Sequence, residues 1–336
     1  MHAVHTAIAC NVAILGAKLG VYALSGSSSI LAESIHSLAD IANQVLLRTG
    51  IASSMKAPDE RSNYGYRREL FVWSLISGVT IFCLGAGVSL VHGAHGLLHP
   101  EPLHDVWASL SVVGVSILIE SYSLLVAYRV LAAGAALRGM PLRTYVSEGL
   151  DPTSLAVVAE DGGAVLGLAL AGGCLMAAGG TGNCMYDSLG SIAVGSLLGA
   201  IAAWLIQTNR RALVGRSLRR SQLEALLAAL RADPVVQDVL DAKSEEIGPG
   251  VFRFKVEVEF AGDAVVARYL AQPETRDRLV ALFTAASATS DGQAMDAALA
   301  HYGQALVTAV GDEVDRLEGV IRKLEPSIAH VDIESN

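Results

Sequence analysis

The sequence predicts an α-helical membrane protein: a bundle of six transmembrane helices followed by a soluble α+β domain. Three observations carry that expectation. Of 336 residues, 52% are hydrophobic and only 17% charged, and the mean hydropathy is +0.45, too apolar for an ordinary soluble globule. Six apolar segments reach the roughly 20 residues that a bilayer crossing needs. From about residue 217 the apolar runs give way to amphipathic and alternating patterns. The domains are therefore drawn at 1–210 and 217–336.

The six segments run approximately 3–25, 28–54, 70–97, 105–132, 153–178 and 186–208. Their flanks set an orientation. Lys56, Arg61, Arg67 and Arg68 follow the second segment, Arg129, Arg138 and Arg143 end and follow the fourth, and Arg210, Arg211, Arg216, Arg219 and Arg220 follow the sixth. The turns after the first and fifth segments hold no Lys or Arg, and the link after the third, "LLHPEPLHD", holds only His, Glu and Asp. The positive-inside rule then places both termini on the side of the basic loops, which requires an even number of crossings.

In the C-terminal part, "SRSQLEALLAALRADP" spaces Leu223, Leu226, Leu227 and Leu230 as one face of an amphipathic helix. "VVQDVLDAKSEEIGPGVFRFKVEVEF" reads as two strands about a Gly-Pro-Gly turn, and the strict alternation in "FRFKVEVEF" marks a strand with one buried face. "ARYLAQPETRDRLVALFTAASA" reads as helical, as does the stretch from Met295 onward, with a break near Gly311. "IAHVDIES" closes a small antiparallel sheet. Cys10, Cys83, Cys174 and Cys184 fall singly in or beside apolar runs, as buried thiols do, with no disulfide framework. The formal net charge of −9 is spread very unevenly along the chain, and without a basic stripe with interleaved aromatics no nucleic-acid partner is expected.

The informative residues are the polar ones inside the apolar helices. A charge at mid-bilayer costs roughly 3 kcal/mol on insertion scales, so an intramembrane carboxylate is a functional candidate. In "SSSILAESIHSLADIANQVLLRTG", Glu33, His36, Asp40 and Asn43 recur at i, i+3, i+7 and i+10, one stripe of a helix. His36 and Asp40 stand one turn apart, and imidazole nitrogen with carboxylate oxygen suits Zn²⁺ and its first-row neighbours. A stripe that merely packs against neighbouring helices is the plainer reading, and Ser37 belongs to it.

The fifth segment adds Glu160 and Asp161, about 100° apart on a helix, so that one can ligate while the other faces a water-filled passage. Gly162 and Gly163 after them permit close helix approach or local loosening. Glu120 in the fourth segment is either a relay carboxylate or the partner of a basic or hydroxyl group. Asp187 is placed to cap the sixth helix, and Gly195 and Gly199 form a GxxxG packing pattern. His92, His95, His99 and His104 invite a metal reading, but at the end of the third segment and in its exposed loop they read rather as an interfacial cluster without function. Metal binding needs neutral imidazole and ionised carboxylate, so metal and protons compete for the same atoms.

At these residues the chain resembles the cation diffusion facilitator family, in its zinc transporter 9-like branch. "SIHSLADIANQ", "SLISGVTIFCLGAGVSLVHGAHGLLHP", "DPTSLAVVAEDGGAVLG", "YDSLGSIAVGSLLG", "LVGRSL" and "GDEVDRLE…HVDIE" carry the resemblance over almost the whole length. It implies a homodimer in membrane lipid, a metal centre between the second and fifth helices, and Zn²⁺ moved as substrate by alternating access against protons. The branch further implies the mitochondrial inner membrane, with the basic side facing the matrix. The ligands carried over are His36, Asp40 and Asp161. Where the family places a His or Asp four residues before Asp161, this chain has Val157, so the fourth ligand is Glu160, Asn43 or water. Glu33 and Glu120 are accessory or proton-relay positions. The C-terminal domain has only His301 and His330 as imidazoles, and dimerisation rather than metal sensing is its expected role.

The leading expectation is a proton-coupled zinc antiporter. The alternative is a non-transporting, membrane-anchored interaction protein that keeps the fold, with Val157 in its favour. No enzyme is expected, since neither a HExxH pair nor another activated nucleophile is present.

Overall fold

The computed structural model of the chain describes residues 2–25, 28–99, 106–289 and 292–336; within these, the side chains of residues 2, 24, 25, 28–33, 35, 36 and 108 lie outside the description. Met1–Gly215 with Gly248–Gly250 forms one compact unit, and Arg216–Ile247 with Val251–Asn336 forms another.

The first unit is helical. Its spans are α1 (His2–Ser25), α2 (Ser28–Ser54), a third built from α3 (Glu69–Thr80), a π-helical stretch Ile81–Gly87 and α4 (Val88–Leu98), then α5 (Val106–Leu137), α7 (Pro152–Thr181) and α8 (Met185–Val214). The short α6 (Leu142–Ser147) lies between α5 and α7. Among the described residues, five of the spans are long and apolar enough to cross a membrane. The remaining one, α2, has 27 residues, and the polar stripe dilutes its apolar character.

The sequence sets the helix ends by ordinary capping chemistry. Asp151 caps α7, accepting the Ser154 backbone N–H at 2.9 Å, with Pro152 in the first turn, and α7 stops at Gly182 with φ 69°. Asp187 is not the cap of α8. It sits inside the first turn, where the helix dipole favours a carboxylate, while Asn183 Oδ1 accepts the Met185 N–H at 3.0 Å.

Small residues draw the helices together. Ala3, Ala7, Ala127, Ala156 and Ala202 are buried beside Val4, Leu47, Val157 and Leu205. At Gly195 a Cβ would stand 3.0 Å from the Leu90 backbone nitrogen and 3.1 Å from the Ala86 carbonyl oxygen, so α8 meets the π–α4 segment backbone to backbone. The second glycine of the expected pair, Gly199, meets Ala86 Cβ at an ordinary 3.5 Å. A Cβ at Gly163 would stand 2.8 Å from Ile201 Cδ1, which makes it a packing glycine in an unbroken α7 rather than a point of loosening.

The second unit has α9 (Arg220–Arg231), β1 (Val236–Gly248), β2 (Val251–Phe260), α10 (Gly262–Leu270), α11 (Thr275–Ala288), α12 (Gly292–Leu324) and β3 (Ile328–Ser335). The sheet order is β1-β2-β3. Phe252, Phe254, Val256 and Val258 of β2 face a core completed by Leu226 and Leu230 of α9 and Leu317 and Ile321 of α12. Three sequence expectations are corrected here. The sheet is mixed, because β3 pairs parallel to β2, with Phe254 opposite Val331 and Val256 opposite Ile333. The intervening helices form the crossover that returns the chain to the starting end of β2, which a hairpin cannot do. The stretch around Ala271 is two helices, since Pro273 ends the run and Glu274 turns it with φ 60°. Helix α12 runs unbroken through Gly311. A glycine costs about 1 kcal/mol in a helix, less than the anchoring of Ala309, Leu317 and Ile321 supplies.

A charged network ties α12 to the turn before β1. Arg316 donates to both carboxylate oxygens of Asp233 at 2.8 and 2.9 Å and to Glu313 at 2.7 Å, and Arg268 reaches Glu313 at 2.7 Å. Partial burial alone would raise the Asp233 carboxyl. Hydrogen bonds from Arg316 and the Val235 N–H, with the charges of Arg316 and Arg268, hold it below the ordinary carboxylate range.

Two predictions follow from this packing. Gly195→Ala, which forces helix backbones apart, is expected to cost about 1–3 kcal/mol in thermal unfolding, while Gly173→Ala, with nothing within 4 Å, leaves stability unchanged or raised. Asp233 has its lowered value only when folded. Its contribution is therefore present above the unfolded carboxylate pKa of about 3.9 and is lost as pH falls through the folded value. Arg316→Ala should speed amide exchange across residues 233–236 and 313–317 at neutral pH, and the gap to wild type should narrow below about pH 4.

Candidate metal centre

Helices α1, α2, α5 and α7 enclose a cluster of ionisable groups in the first unit. Glu160 and Asp161 of α7 are 9% and 1% exposed, and Glu120 of α5 is 7% exposed. Asp40 of α2 is half-buried. The four carboxylates lie within electrostatic reach of one another: Asp40 acts on Glu120, Glu160 and Asp161, and Asp161 acts on Glu120 and Glu160. Among the described residues, no three His, Cys, Asp or Glu side chains converge tightly enough to hold an ion. The side chains of His36 and Glu33 lie outside the described residues, although both positions are helical.

Adjacent on one helix, Glu160 and Asp161 divide between two neighbours. Glu160 Oε2 accepts from Gln44 Nε2 of α2 at 2.6 Å, and Asp161 Oδ2 accepts from Ser123 Oγ of α5 at 2.6 Å. Both carboxylates are thus directed into the protein, and neither snorkels to an interface. The other Glu160 oxygen, Oε1, is buried without a hydrogen bond, as are both amide atoms of Asn43, which stands near Glu160 without reaching hydrogen-bond geometry. Buried polar atoms are rarely left unpaired, so this pair marks a place where a cation or water can be received.

Val157, one turn before Asp161, is fully buried among Ala3, Val4, Ala7 and Leu47. That position is part of the apolar core and supplies no donor atom. Glu120 lies within reach of the charges of Asp161, Asp40 and Lys18. Lys18 of α1 is only 6% exposed, and its Nζ donates to Ser37 Oγ at 3.0 Å.

Sequence reasoning passed over Lys18, Gln44 and Ser123. Each carried a signal. Lys18 is a charge in the middle of an apolar helix, Gln44 falls four residues after Asp40, and Ser123 falls three after Glu120, on the faces of those carboxylates. Ser37, read as packing glue, holds the lysine.

The chain matches the model of the cation efflux transmembrane domain over residues 4–214. It belongs to the cation diffusion facilitator family. The members of this family are metal-cation transporters rather than enzymes, and the chain is an integral membrane protein. It is 48% identical over 334 residues to Metal tolerance protein C4 of Arabidopsis thaliana, covering 99% of this chain and 73% of that protein. It is 39% identical over 317 residues to the mitochondrial proton-coupled zinc antiporter SLC30A9 of Homo sapiens, covering 94% of this chain and 55% of that protein. The SLC30A9 antiporter of Xenopus laevis is likewise 39% identical, covering 56% of its length. The chain thus spans little more than half of these vertebrate relatives.

Ser123→Ala leaves a buried Asp161 oxygen without its donor. It is expected to destabilise the bundle by about 1–3 kcal/mol, read as a lower thermal midpoint in detergent, with Ser123→Thr retaining the hydroxyl and most of the stability.

Proposed function

We propose that this chain is a proton-coupled divalent-cation carrier that moves Zn²⁺ by alternating access, using His36, Asp40 and Asp161 as ligands and Glu160 as the fourth. The observation that carries the proposal is that Asp40, Glu120, Glu160 and Asp161, from three helices, lie within electrostatic reach of one another in the bundle interior. Four carboxylates in a low-dielectric interior repel one another and call for positive charge. Among the described residues, Lys18 supplies one such charge, beside Glu120. The remainder is supplied in turn by a divalent ion and by protons, which compete for the same oxygens. That competition is an exchange reaction, and rocking of the helices exposes it to one side and then the other.

Glu160 is preferred over water as fourth ligand because its Oε1 is buried and unbonded, with Asn43 beside it in the same condition. Glu33 and Glu120 serve as accessory or proton-relay groups. Zinc as the substrate, proton coupling and a mitochondrial location are supported by the names of the vertebrate relatives, and the inner membrane by the family resemblance. A homodimer with both termini on the basic, matrix side completes the reading; the flanking charges and the family resemblance support it.

The test is zinc flux into sealed proteoliposomes with and without an imposed pH gradient. Wild type is expected to show gradient-dependent flux, Asp40→Ala to lose it while staying folded, and Glu160→Gln to bind zinc about tenfold or more weakly, the loss of one charged ligand costing at least 1.4 kcal/mol. No flux of zinc, manganese or iron by folded wild type would favour a membrane-anchored interaction protein instead.

A further inference from the structure

A second group of potential ligands stands apart from the buried cluster, at the end of α4. His92 and His95 stand on α4 and His99 is the residue that caps its C-terminal end, at i, i+3 and i+7 in the sequence. All three are exposed, and the rings of His95 and His99 already meet, their centroids 4.8 Å apart and tilted by 45°. The seam with α8 is formed by other residues of the same helix, Gly93 and Gly96, whose Cβ positions would strike Ser188 and Ile192. The imidazoles flank this seam and take no part in it. Packing therefore gives no reason for three histidines here.

His95 in the last turn of α4 and His99 at its C-cap, their rings already in contact, are placed to share a borderline divalent cation, for which imidazole is a suitable ligand. The helix end adds a second attraction. The backbone leaves the helix at His99, whose N–H donates to the His95 carbonyl oxygen at 2.8 Å, and the last carbonyls of a helix carry partial negative charge that favours a cation. This end of the third span lies beside the start of α8, at the opposite end of the bundle from the basic residues Arg61, Arg67 and Arg68 that precede α3.

We propose that His95 and His99 form a surface site for Zn²⁺ or a neighbouring transition-metal ion at the non-basic mouth of the bundle. Water completes the coordination, which keeps the ion exchangeable and prevents its trapping. Binding rests on these imidazoles alone. Its use as a station where the transported ion is handed to or taken from solution rests on the transport reading above.

The experiment is residue-resolved carbethoxylation of the histidines of the whole protein in detergent, read by mass spectrometry. Zn²⁺ at about ten times its Kd should slow modification of His95 and His99 about tenfold, while Mg²⁺ does not and His301 is unaffected. His99→Gln should abolish the protection of His95, and the exposed position makes that variant fold normally. Asp40→Ala should keep the protection, because the two sites are separate. Equal modification of His95 with and without millimolar zinc would overturn the inference, as would protection that survives His99→Gln or vanishes in Asp40→Ala. Protection without zinc flux would leave this site standing and remove only the transport reading.

Discussion

A carboxylate inside an apolar helix bundle has no water to satisfy it, so it must find donors or a cation within the protein. The membrane unit is organised around that requirement. Gln44 on α2 and Ser123 on α5 reach the two adjacent carboxylates of α7 from different sides, at 2.6 Å each. Those bonds join three helices at one level of the bundle. The same bonds leave Glu160 Oε1 and the Asn43 amide with unused capacity in a buried place. Stability and the capacity to receive an ion are therefore supplied by the same side chains, each through a different atom.

The close packing around the cluster matters for the same reason. Attraction between charges grows as water is excluded, and so does the cost of an unpaired one. The alanines and glycines at the helix crossings let the backbones approach closely. Val157 fits that role: where a ligand atom would enlarge the polar region, an aliphatic side chain closes it on the α1 side.

Much of this was legible in the sequence. Length and apolar periodicity located every span, because a bilayer fixes how long an apolar helix must be. The stripe on α2 and the pair on α7 stood out because charge in such helices is rare. What could not be read was which donor answers which acceptor, since Gln44 and Ser123 are unremarkable until α2, α5 and α7 are set side by side. Lys18 was missed for a related reason, as one lysine barely dents the hydropathy of a 24-residue helix. In the C-terminal unit the alternation of β2 was plain, but the direction of β3 depends on a crossover through three helices. Local pattern carries no information about that.

The unbroken course of α12 has a consequence for reach. Its residues from Leu306 onward join the core over the sheet, whereas the 14 residues from Gly292 to Ala305 do not. At 1.5 Å per residue, that free portion projects about 20 Å. It is steadied by α11, where Phe283 meets Tyr302 edge to face. The pair forms an arm whose length is independent of the core beneath it. Turns can be added to or taken from its tip without disturbing a single contact in the sheet, so how far this domain extends and how firmly it folds are separately adjustable properties of the chain.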